Sequence, residues 1–85
     1  MEIVFEATAL EDLEYWKSTN NEAVLRKIRQ LLENMLQTPF EGVGKPEALK
    51  HELAGKWSRR ITNEHRLVYK IEEGRLRVYQ LRNHY

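Results

Sequence analysis

The chain has no cysteine, only two prolines and no long apolar run. Without cysteine, neither a disulfide framework nor a thiolate metal site can form. A membrane-spanning helix needs about 20 consecutive apolar residues, and no segment approaches that length. The N-terminus also lacks the basic segment and apolar core of a secretory signal. These absences favour a cytoplasmic protein that does not bind to membranes through a spanning helix.

What is present predicts one small folded domain. The 85 residues are enough for a single hydrophobic core and too few for a second one. Apolar residues make up 41% of the chain and charged residues 32%, which is the composition of a globular protein rather than a disordered one. We therefore treat residues 1–85 as one domain.

The net charge of +1 conceals two halves of opposite sign. Residues 1–43 contain eight acidic and four basic side chains, whereas residues 44–85 contain ten basic and five acidic ones. The first half thus carries −4 and the second +5. A cationic half suggests contact with a polyanion or an acidic partner, although uneven charge on a solvated surface is equally compatible with the composition.

The first half of the chain predicts a strand followed by two helices. Residues 2–6 form a short apolar run typical of a strand, and the Thr8 and Glu11 pair has the spacing of a capping box that starts a helix. A second such pair, Thr19 and Glu22, lies in the polar turn that comes next. The first helix has an apolar stripe at Leu10, Leu13 and Trp16, and the second at Val24, Leu25, Ile28, Leu31, Leu32, Met35 and Leu36. Pro39 ends the second helix.

The second half predicts a sheet built from hairpins. Residues 40–47 are rich in glycine and form an irregular loop. A possible short strand at 49–53 and three strands within 56–62, 66–72 and 75–82 are separated by turn sequences. The predicted fold is therefore α+β, with an N-terminal two-helix hairpin packed on one face of a mostly antiparallel sheet whose other face lies in water.

The alternation along these strands places two arginines on the face opposite the apolar residues. Because successive side chains of a strand point to opposite faces of the sheet, Arg60 and Arg66 lie on one face and Trp57 and Leu67 on the other. They should project from the open side of the sheet. Arginine is common on exposed strands, so this position alone does not establish a function.

The motifs of several enzyme classes are absent. The chain has no Ser/His/Asp or Cys/His arrangement, no glycine motif for phosphate before a helix and no histidine pair at metal-ligand spacing. His51 and His65 are isolated and read as surface or turn residues. A loop carboxylate, arginines on a sheet and the penultimate His84 do supply a base, cations and an acid, which are the groups needed to cleave RNA through its 2′-hydroxyl without a metal.

Five ordered motifs give this set a more specific interpretation. They are GKPE at 44–47, LKH at 49–51, WSRRI at 57–61, EHRLVY at 64–69 and HY at 84–85. Together they resemble the YoeB family of bacterial toxins in the RelE superfamily, along essentially the whole chain. The resemblance implies a RelE-like fold related to microbial ribonucleases. It also implies a ribosome-dependent mRNA endonuclease that cuts in the ribosomal A site, needs no cofactor or metal and is inhibited by a YefM-like antitoxin. Family members often form homodimers.

The resemblance assigns a role to each matching residue. Glu47 corresponds to the general base, Arg66 to the arginine that stabilises the transition state and His84 to the general acid. Tyr85 corresponds to the terminal tyrosine that shapes the site and orients the substrate. Lys50 and Arg60 correspond to cations that bind the flanking phosphates. Arg59 points to the other face of the strand from Arg60 and is therefore placed outside the reacting centre.

Two other functional classes remain open from the sequence. A gyrase poison of the ParE type shares the scaffold but needs no acid and base pair, so the presence of Glu47, Arg66 and His84 argues against it. A binding module without catalytic activity would use the basic half to engage an acidic protein or nucleic acid. Codon preference, oligomeric state and the identity of the antitoxin cannot be read from the residues.

Overall fold

The architecture is a five-stranded sheet with two helices, and it confirms the predicted α+β class. A computed structural model of the chain describes residues 1–84. The strands are β1 (Glu2–Phe5), β2 (Glu47–Ala48), β3 (Trp57–Arg60), β4 (Arg66–Glu72) and β5 (Arg75–Gln80), and the helices are α1 (Ala7–Ser18) and α2 (Glu22–Gln37). The order across the sheet is β1-β5-β4-β3-β2. No helix within the described residues is long and apolar enough to cross a membrane.

The start of α1 differs from the predicted capping box. The helix begins at Ala7 with Glu6 as its N-cap residue, and no side chain caps it. Glu6 leaves β1 by donating its N–H to the Val78 carbonyl at 2.9 Å, so the chain enters the helix before Thr8 is reached. The Glu6 carboxylate is itself paired with Arg77 at 3.2 Å. The prediction that Thr8 and Glu11 form a capping box was therefore wrong, because Thr8 already lies inside the helix.

The start of α2 also uses a cap other than the predicted one. The side chain of Asn21 accepts a hydrogen bond from the Val24 N–H at 3.1 Å, which satisfies one of the free donors of the first turn. The hydroxyl of Thr19 instead donates to the Trp16 carbonyl at 3.1 Å. The helix ends at Gln37, two residues before Pro39, as predicted.

One face of each helix packs on the sheet to form the core. Trp16, Ile28, Leu31 and Met35 are buried together with Leu67, Tyr69, Leu76 and Val78 from β4 and β5. Two residues of the predicted stripes lie outside this cluster, since Leu10 is 50% exposed and Leu36 is 37% exposed. Ala9, with no exposed surface, takes the inward position on the first turn of α1. Since one residue advances a helix by about 100°, this shift moves Leu10 out of the core.

The sheet combines predicted hairpins with a parallel edge. β2, β3, β4 and β5 pair in antiparallel fashion, and β1 pairs in parallel with β5. The turn between β4 and β5 is formed by Glu73 and Gly74, both with positive φ (52° and 73°), as a tight two-residue hairpin requires. The predicted strand at 49–53 was wrong. A 3₁₀ turn at His51–Leu53 occupies that segment, and His51 has a φ of 58°, which no strand residue adopts.

Gly44 lies where the loop between α2 and β2 passes closest to the core. Its φ is +84°, and a Cβ atom added there would lie 2.7 Å from Leu31 Cδ2 and 3.1 Å from Arg59 Cβ. Gly74 has a similar φ of +73° but open space around it. The two glycines therefore share the conformational requirement and differ in the available room.

This difference leads to a stability prediction. Gly44→Ala and Gly74→Ala should both lose stability because a Cβ disfavours positive φ. Gly44→Ala should lose about 1–3 kcal/mol more, the usual range for overpacking a filled site. Urea denaturation of the two variants and the wild type measures the difference. Equal losses would show that the loop moves aside without cost.

Candidate active site

Strand register places the predicted sheet residues of the site on one face. Glu47 lies opposite Ser58, and Arg60 lies opposite Arg66. Residues opposite each other in an antiparallel pair share a face, and so do residues two apart along one strand. Glu47, Ser58, Arg60 and Arg66 therefore project from the same side of β2, β3 and β4. A strand of only two residues, β2, is enough to bring the loop carboxylate into this set.

The loop that precedes β2 is fixed at the end of β3. The Arg60 N–H donates to the Gly44 carbonyl at 2.7 Å. Gly44 and Lys45 both have positive φ (84° and 53°), and Pro46 comes next in the chain. Two consecutive left-handed residues turn the chain sharply, and the proline ring locks the backbone φ at position 46. Glu47 therefore follows a turn whose backbone is hydrogen-bonded to β3, the strand that contains Arg60.

An open pocket of about 330 Å³ lies on this face. The residues that line it are Lys45, Pro46, Glu47, Ser58, Arg60, Arg66 and His84. Glu47 is the one carboxylate among these lining residues, whereas Lys45, Arg60 and Arg66 are cations. Such a balance of charge attracts an anion such as a phosphate group.

Arg66 is held more firmly than the sequence predicted. It is only 8% exposed, so the expectation that it projects from an open face into water was wrong. Its Nη1 atom donates to the carbonyl oxygens of Thr62, Asn63 and His65 at 2.8, 3.1 and 3.2 Å. These partners are neutral, and the contacts therefore fix the guanidinium without neutralising its charge. Arg60, by contrast, is exposed as predicted.

The C-terminal segment brings His84 to the pocket. Leu81 is anchored to α1, because its N–H donates to Asp12 Oδ2 at 2.9 Å and its carbonyl accepts from Trp16 Nε1 at 2.8 Å. Two residues later, the Asn83 carbonyl accepts from the Arg66 N–H at 3.0 Å. The segment therefore runs from the helix layer to the start of β4, and His84 is the next residue. The side chain of His84 is exposed.

A β-bulge directs this segment. Tyr69 pairs with Val78 but Val68 pairs with Gln80, so Tyr79 is the extra residue of β5. A bulge bends its strand and changes the direction of the chain beyond it. Gln80 then stabilises the segment by donating from Nε2 to the Arg82 carbonyl at 3.0 Å. The predicted strand over 75–82 accordingly ends at Gln80.

Arg59 lies on the other side of β3 from the pocket and has no exposed surface. Its guanidinium donates to the Asn34 side chain and to the carbonyls of Thr38, Glu41 and Val43, the last three at 2.7, 3.0 and 3.1 Å. Nε donates to the Tyr69 hydroxyl at 3.2 Å. Three of these five hydrogen bonds join β3 to the loop that precedes the Glu47 turn, and the other two join it to α2 and to Tyr69 on β4.

Tyr69 completes this buried network. Its hydroxyl donates to the Pro39 carbonyl at 2.6 Å. Burial raises the pKa of the phenol above its ordinary value of 10.0, although the hydrogen bond and the charge of Arg59 act in the opposite direction. The hydroxyl therefore keeps its proton at neutral pH and remains a donor to the loop.

The family model for YoeB-like toxins of bacterial type II toxin-antitoxin systems matches residues 5–85 of the chain. The chain belongs to this family. Over 85 residues it is 45% identical to Toxin YoeB of Escherichia coli strain K12 and 44% identical to Toxin YoeB of Streptomyces coelicolor, covering the full length of both partners in each case. The resemblance inferred from the five sequence motifs is thereby confirmed.

Solved structures agree with this membership. The YoeB/ParE toxin from Agrobacterium tumefaciens superposes with a TM-score of 0.95 at 46% identity over the full length of both chains. A heterotetrameric YoeB-YefM toxin-antitoxin complex from Staphylococcus aureus contains a chain that matches with a TM-score of 0.89 at 38% identity, covering 100% of this chain and 98% of that one. The E. coli protein YafQ shares the fold with a TM-score of 0.80 at 17% identity, over 96% of this chain and 91% of the YafQ chain.

For this YoeB-family toxin, the structure brings together four of the six predicted site residues. Glu47, Arg60, Arg66 and His84 line one pocket. Lys50 is exposed just before the 3₁₀ turn and is not one of the residues that line the pocket. Tyr85 lies outside the described residues. Across positions 1–84, no group of three or more His, Cys, Asp or Glu side chains is arranged to hold a metal ion.

Sequence reasoning missed three lining residues and one contact. Lys45, Pro46 and Ser58 also border the pocket. Ser58 could have been predicted from the sequence, because it is two residues from Arg60 on the same strand and therefore points to the same face. The contact is made by His65, which was interpreted as an isolated turn residue. It is half-buried and accepts a hydrogen bond from the Asn83 N–H. No local pattern reveals that contact, because its partners are 18 residues apart.

Proposed function

We propose that this toxin is a ribosome-dependent endoribonuclease that cuts mRNA in the ribosomal A site and thereby inhibits translation. The observation that carries the proposal is the pocket in which one carboxylate, two arginines and one histidine meet on a single sheet face. Cleavage through the ribose 2′-hydroxyl needs a base, an acid and cations around the phosphate. Glu47, His84 and the arginines supply those three kinds of group.

In the proposed reaction, Glu47 takes the proton from the 2′-hydroxyl of the ribose on the 5′ side of the scissile bond. The 2′-oxygen then attacks phosphorus, and the bond from phosphorus to the 5′-oxygen breaks. His84, in its protonated form, gives a proton to that departing oxygen. The products are a 2′,3′-cyclic phosphate on one fragment and a 5′-hydroxyl on the other, and no metal or cofactor takes part.

Arg66 stabilises the negative charge that develops on the phosphoryl oxygens. A group already held in place needs little reorganisation when charge develops, and three carbonyl contacts hold the Arg66 guanidinium. Arg60 lies directly opposite Arg66. Like charges in such a pair destabilise a sheet, and an anion between them offsets this repulsion. Arg60 and Lys50 bind the flanking phosphates, and Tyr85 orients the substrate.

The openness of the site supports the proposed dependence on the ribosome. Glu47, Arg60 and His84 are all exposed, so the pocket on its own provides few contacts that position a flexible RNA. Correct placement of the reacting groups supplies a large part of many rate enhancements. The ribosome, by holding the mRNA in the A site, provides the placement that the isolated domain lacks.

We also propose a YefM-like antitoxin as the inhibitory partner and a homodimer as an assembly state. Support comes from the S. aureus YoeB-YefM complex and from the structure of a YoeB dimer from the same organism, which matches at 38% identity with a TM-score of 0.90. The excess of basic residues in positions 44–85 suits an acidic segment of such an antitoxin.

The activity is tested by incubating purified protein with one mRNA in two forms, bound to programmed ribosomes and free in solution. We expect cuts within the A-site codon of the bound mRNA and little cleavage of the free one. A gyrase poison would instead leave the mRNA intact and produce double-strand breaks in DNA with gyrase. A binding module would produce neither product, and either result would overturn the proposal.

A further inference from the structure

His65 lies at the end of the turn between β3 and β4, next to Arg66 in the chain. Its ring packs edge-on against the indole of Trp16, with the ring centroids 4.9 Å apart and an interplanar angle of 83°. Trp16 is buried and donates from Nε1 to the Leu81 carbonyl at 2.8 Å. One aromatic pair therefore touches both the helix layer and the C-terminal segment.

The Nδ1 atom of His65 accepts a hydrogen bond from the Asn83 N–H at 2.8 Å. An acceptor nitrogen of imidazole carries no proton, so the ring is neutral in this contact and its proton is on Nε2. The turn holds the backbone of His65 in place, since its N–H donates to Thr62 Oγ1 at 3.1 Å and its carbonyl accepts from the Ile61 N–H at 2.9 Å.

Asn83 is the residue immediately before His84, and its backbone is held from both sides. Its N–H is bound by His65, and its carbonyl accepts from the Arg66 N–H at 3.0 Å and from Gln80 Nε2 at 3.3 Å. The φ of Asn83 is +67°, a left-handed conformation that is uncommon for non-glycine residues and that asparagine adopts more readily than most of them. This turn of the backbone determines the direction in which His84 leaves the segment.

We propose that His65 is a positioning residue for catalysis: it fixes the left-handed Asn83 and so places the His84 imidazole in the pocket with Glu47 and Arg66. The inference rests on the proposed endoribonuclease function. His65 does not itself line the pocket. It acts through a contact with the backbone N–H of Asn83.

Two substitutions separate the hydrogen bond from the ring packing. His65→Asn keeps an acceptor, because the amide oxygen of Asn reaches about as far as Nδ1, but it loses the ring on Trp16. His65→Phe keeps a flat ring on Trp16 and has no acceptor. If His65 acts through Nδ1, His65→Phe should lower kcat for cleavage of ribosome-bound mRNA by about 10- to 100-fold with little change in KM, as expected for a displaced catalytic group.

The conservative variant and a variant at a neighbouring position complete the design. His65→Asn should recover most of the kcat that His65→Phe loses. Glu64→Gln, in the same turn with an exposed side chain, should cleave at the wild-type rate. Wild-type kcat in His65→Phe, or equal losses in the Asn and Phe variants, would overturn the inference, because the hydrogen bond would then not be what matters.

A spectroscopic measurement tests the placement independently of cleavage. The ¹⁵N resonances of the wild-type His65 ring at neutral pH should show an unprotonated Nδ1, and the Asn83 amide should exchange slowly with solvent. In His65→Phe this amide should exchange faster, and in His65→Asn it should stay protected. A protonated Nδ1 or unchanged exchange in the Phe variant would overturn the inference. If the wild type did not cleave mRNA, the proposed function would fail, while amide exchange would still decide whether His65 holds Asn83.

Discussion

Replacing Glu47 with glutamine is expected to lower the rate of mRNA cleavage by about 10²- to 10⁴-fold, the usual contribution of a general base. Glutamine keeps the size of the side chain and its ability to accept hydrogen bonds, but it cannot take up a proton from a 2′-hydroxyl. Because Glu47 is exposed and lies in a two-residue strand, the free energy of unfolding should change little. Single-turnover cleavage on programmed ribosomes measures the effect on chemistry.

Glu52→Gln is the matched control for this variant. Glu52 is an exposed carboxylate five residues further along, in the 3₁₀ turn, and does not line the pocket. The control removes the same charge from the same region and should cleave at the wild-type rate. If Glu47→Gln cleaved as fast as Glu52→Gln, Glu47 would not be the base. If both lost activity equally, the effect would be one of local charge and not of proton transfer.

Arg59→Met should destabilise the fold by about 3 kcal/mol or more. The buried guanidinium makes five hydrogen bonds, to Asn34 on α2, to three carbonyls of the loop and to Tyr69, and methionine can replace none of them. Each buried polar group that loses its partner costs about 1–3 kcal/mol, and part of this cost falls when water reaches the exposed side of the loop. Urea denaturation monitored by tryptophan fluorescence measures the change.

The neighbouring arginine provides the control. Arg60 is exposed and lies opposite another arginine, so Arg60→Met should change the free energy of unfolding by no more than about 0.5 kcal/mol. It should instead weaken cleavage and the binding of ribosome-bound mRNA. Two adjacent arginines would thus separate stability from activity. A stable Arg59→Met variant would show that the loop does not depend on this network.

The sequence was sufficient where side-chain period and turn chemistry act locally. The predicted stripe of α2 contains all four buried residues of that helix, and Leu36 is its one exposed member. The Glu73 and Gly74 turn predicted the last hairpin. Strand parity correctly placed Arg60 and Arg66 on the face opposite Leu67, and put Arg59 on the other face. The family motifs then identified which of the many charged residues to consider together, which parity alone does not do.

Errors arose where distant parts of the chain decide the outcome. Thr8 has the spacing of a cap, but the hydrogen bond from Glu6 to Val78, 72 residues away, starts the helix earlier. Similarly, parity placed Arg66 on the open face, but the C-terminal segment reaches the start of β4, where the Asn83 carbonyl accepts from its N–H. The two-residue alternation along a strand predicts the face to which a side chain points, but it does not predict which other part of the chain will cover that side chain.

The same reason explains why the site could be predicted only in part. Glu47 is brought to the sheet by its pairing with Ser58, and His84 by a bulge in β5 and by contacts with α1. None of these features has a local signature. The parallel pairing of β1 with β5 was likewise not predicted, since it joins the two ends of the chain. The position of the site therefore depends on long-range contacts, although its residue types could be chosen from motifs.

We propose that Glu47, Arg66 and His84 act together to cleave mRNA by attack of the ribose 2′-hydroxyl. The most direct measurement uses programmed ribosomes carrying an mRNA with a single 2′-deoxynucleotide on the 5′ side of the scissile phosphate, beside the unmodified mRNA. We predict that the unmodified mRNA is cut to give a 2′,3′-cyclic phosphate and a 5′-hydroxyl, and that the modified mRNA stays intact at that bond. Cleavage at the deoxynucleotide, or a product with a 5′-phosphate and a 3′-hydroxyl, would contradict the claim.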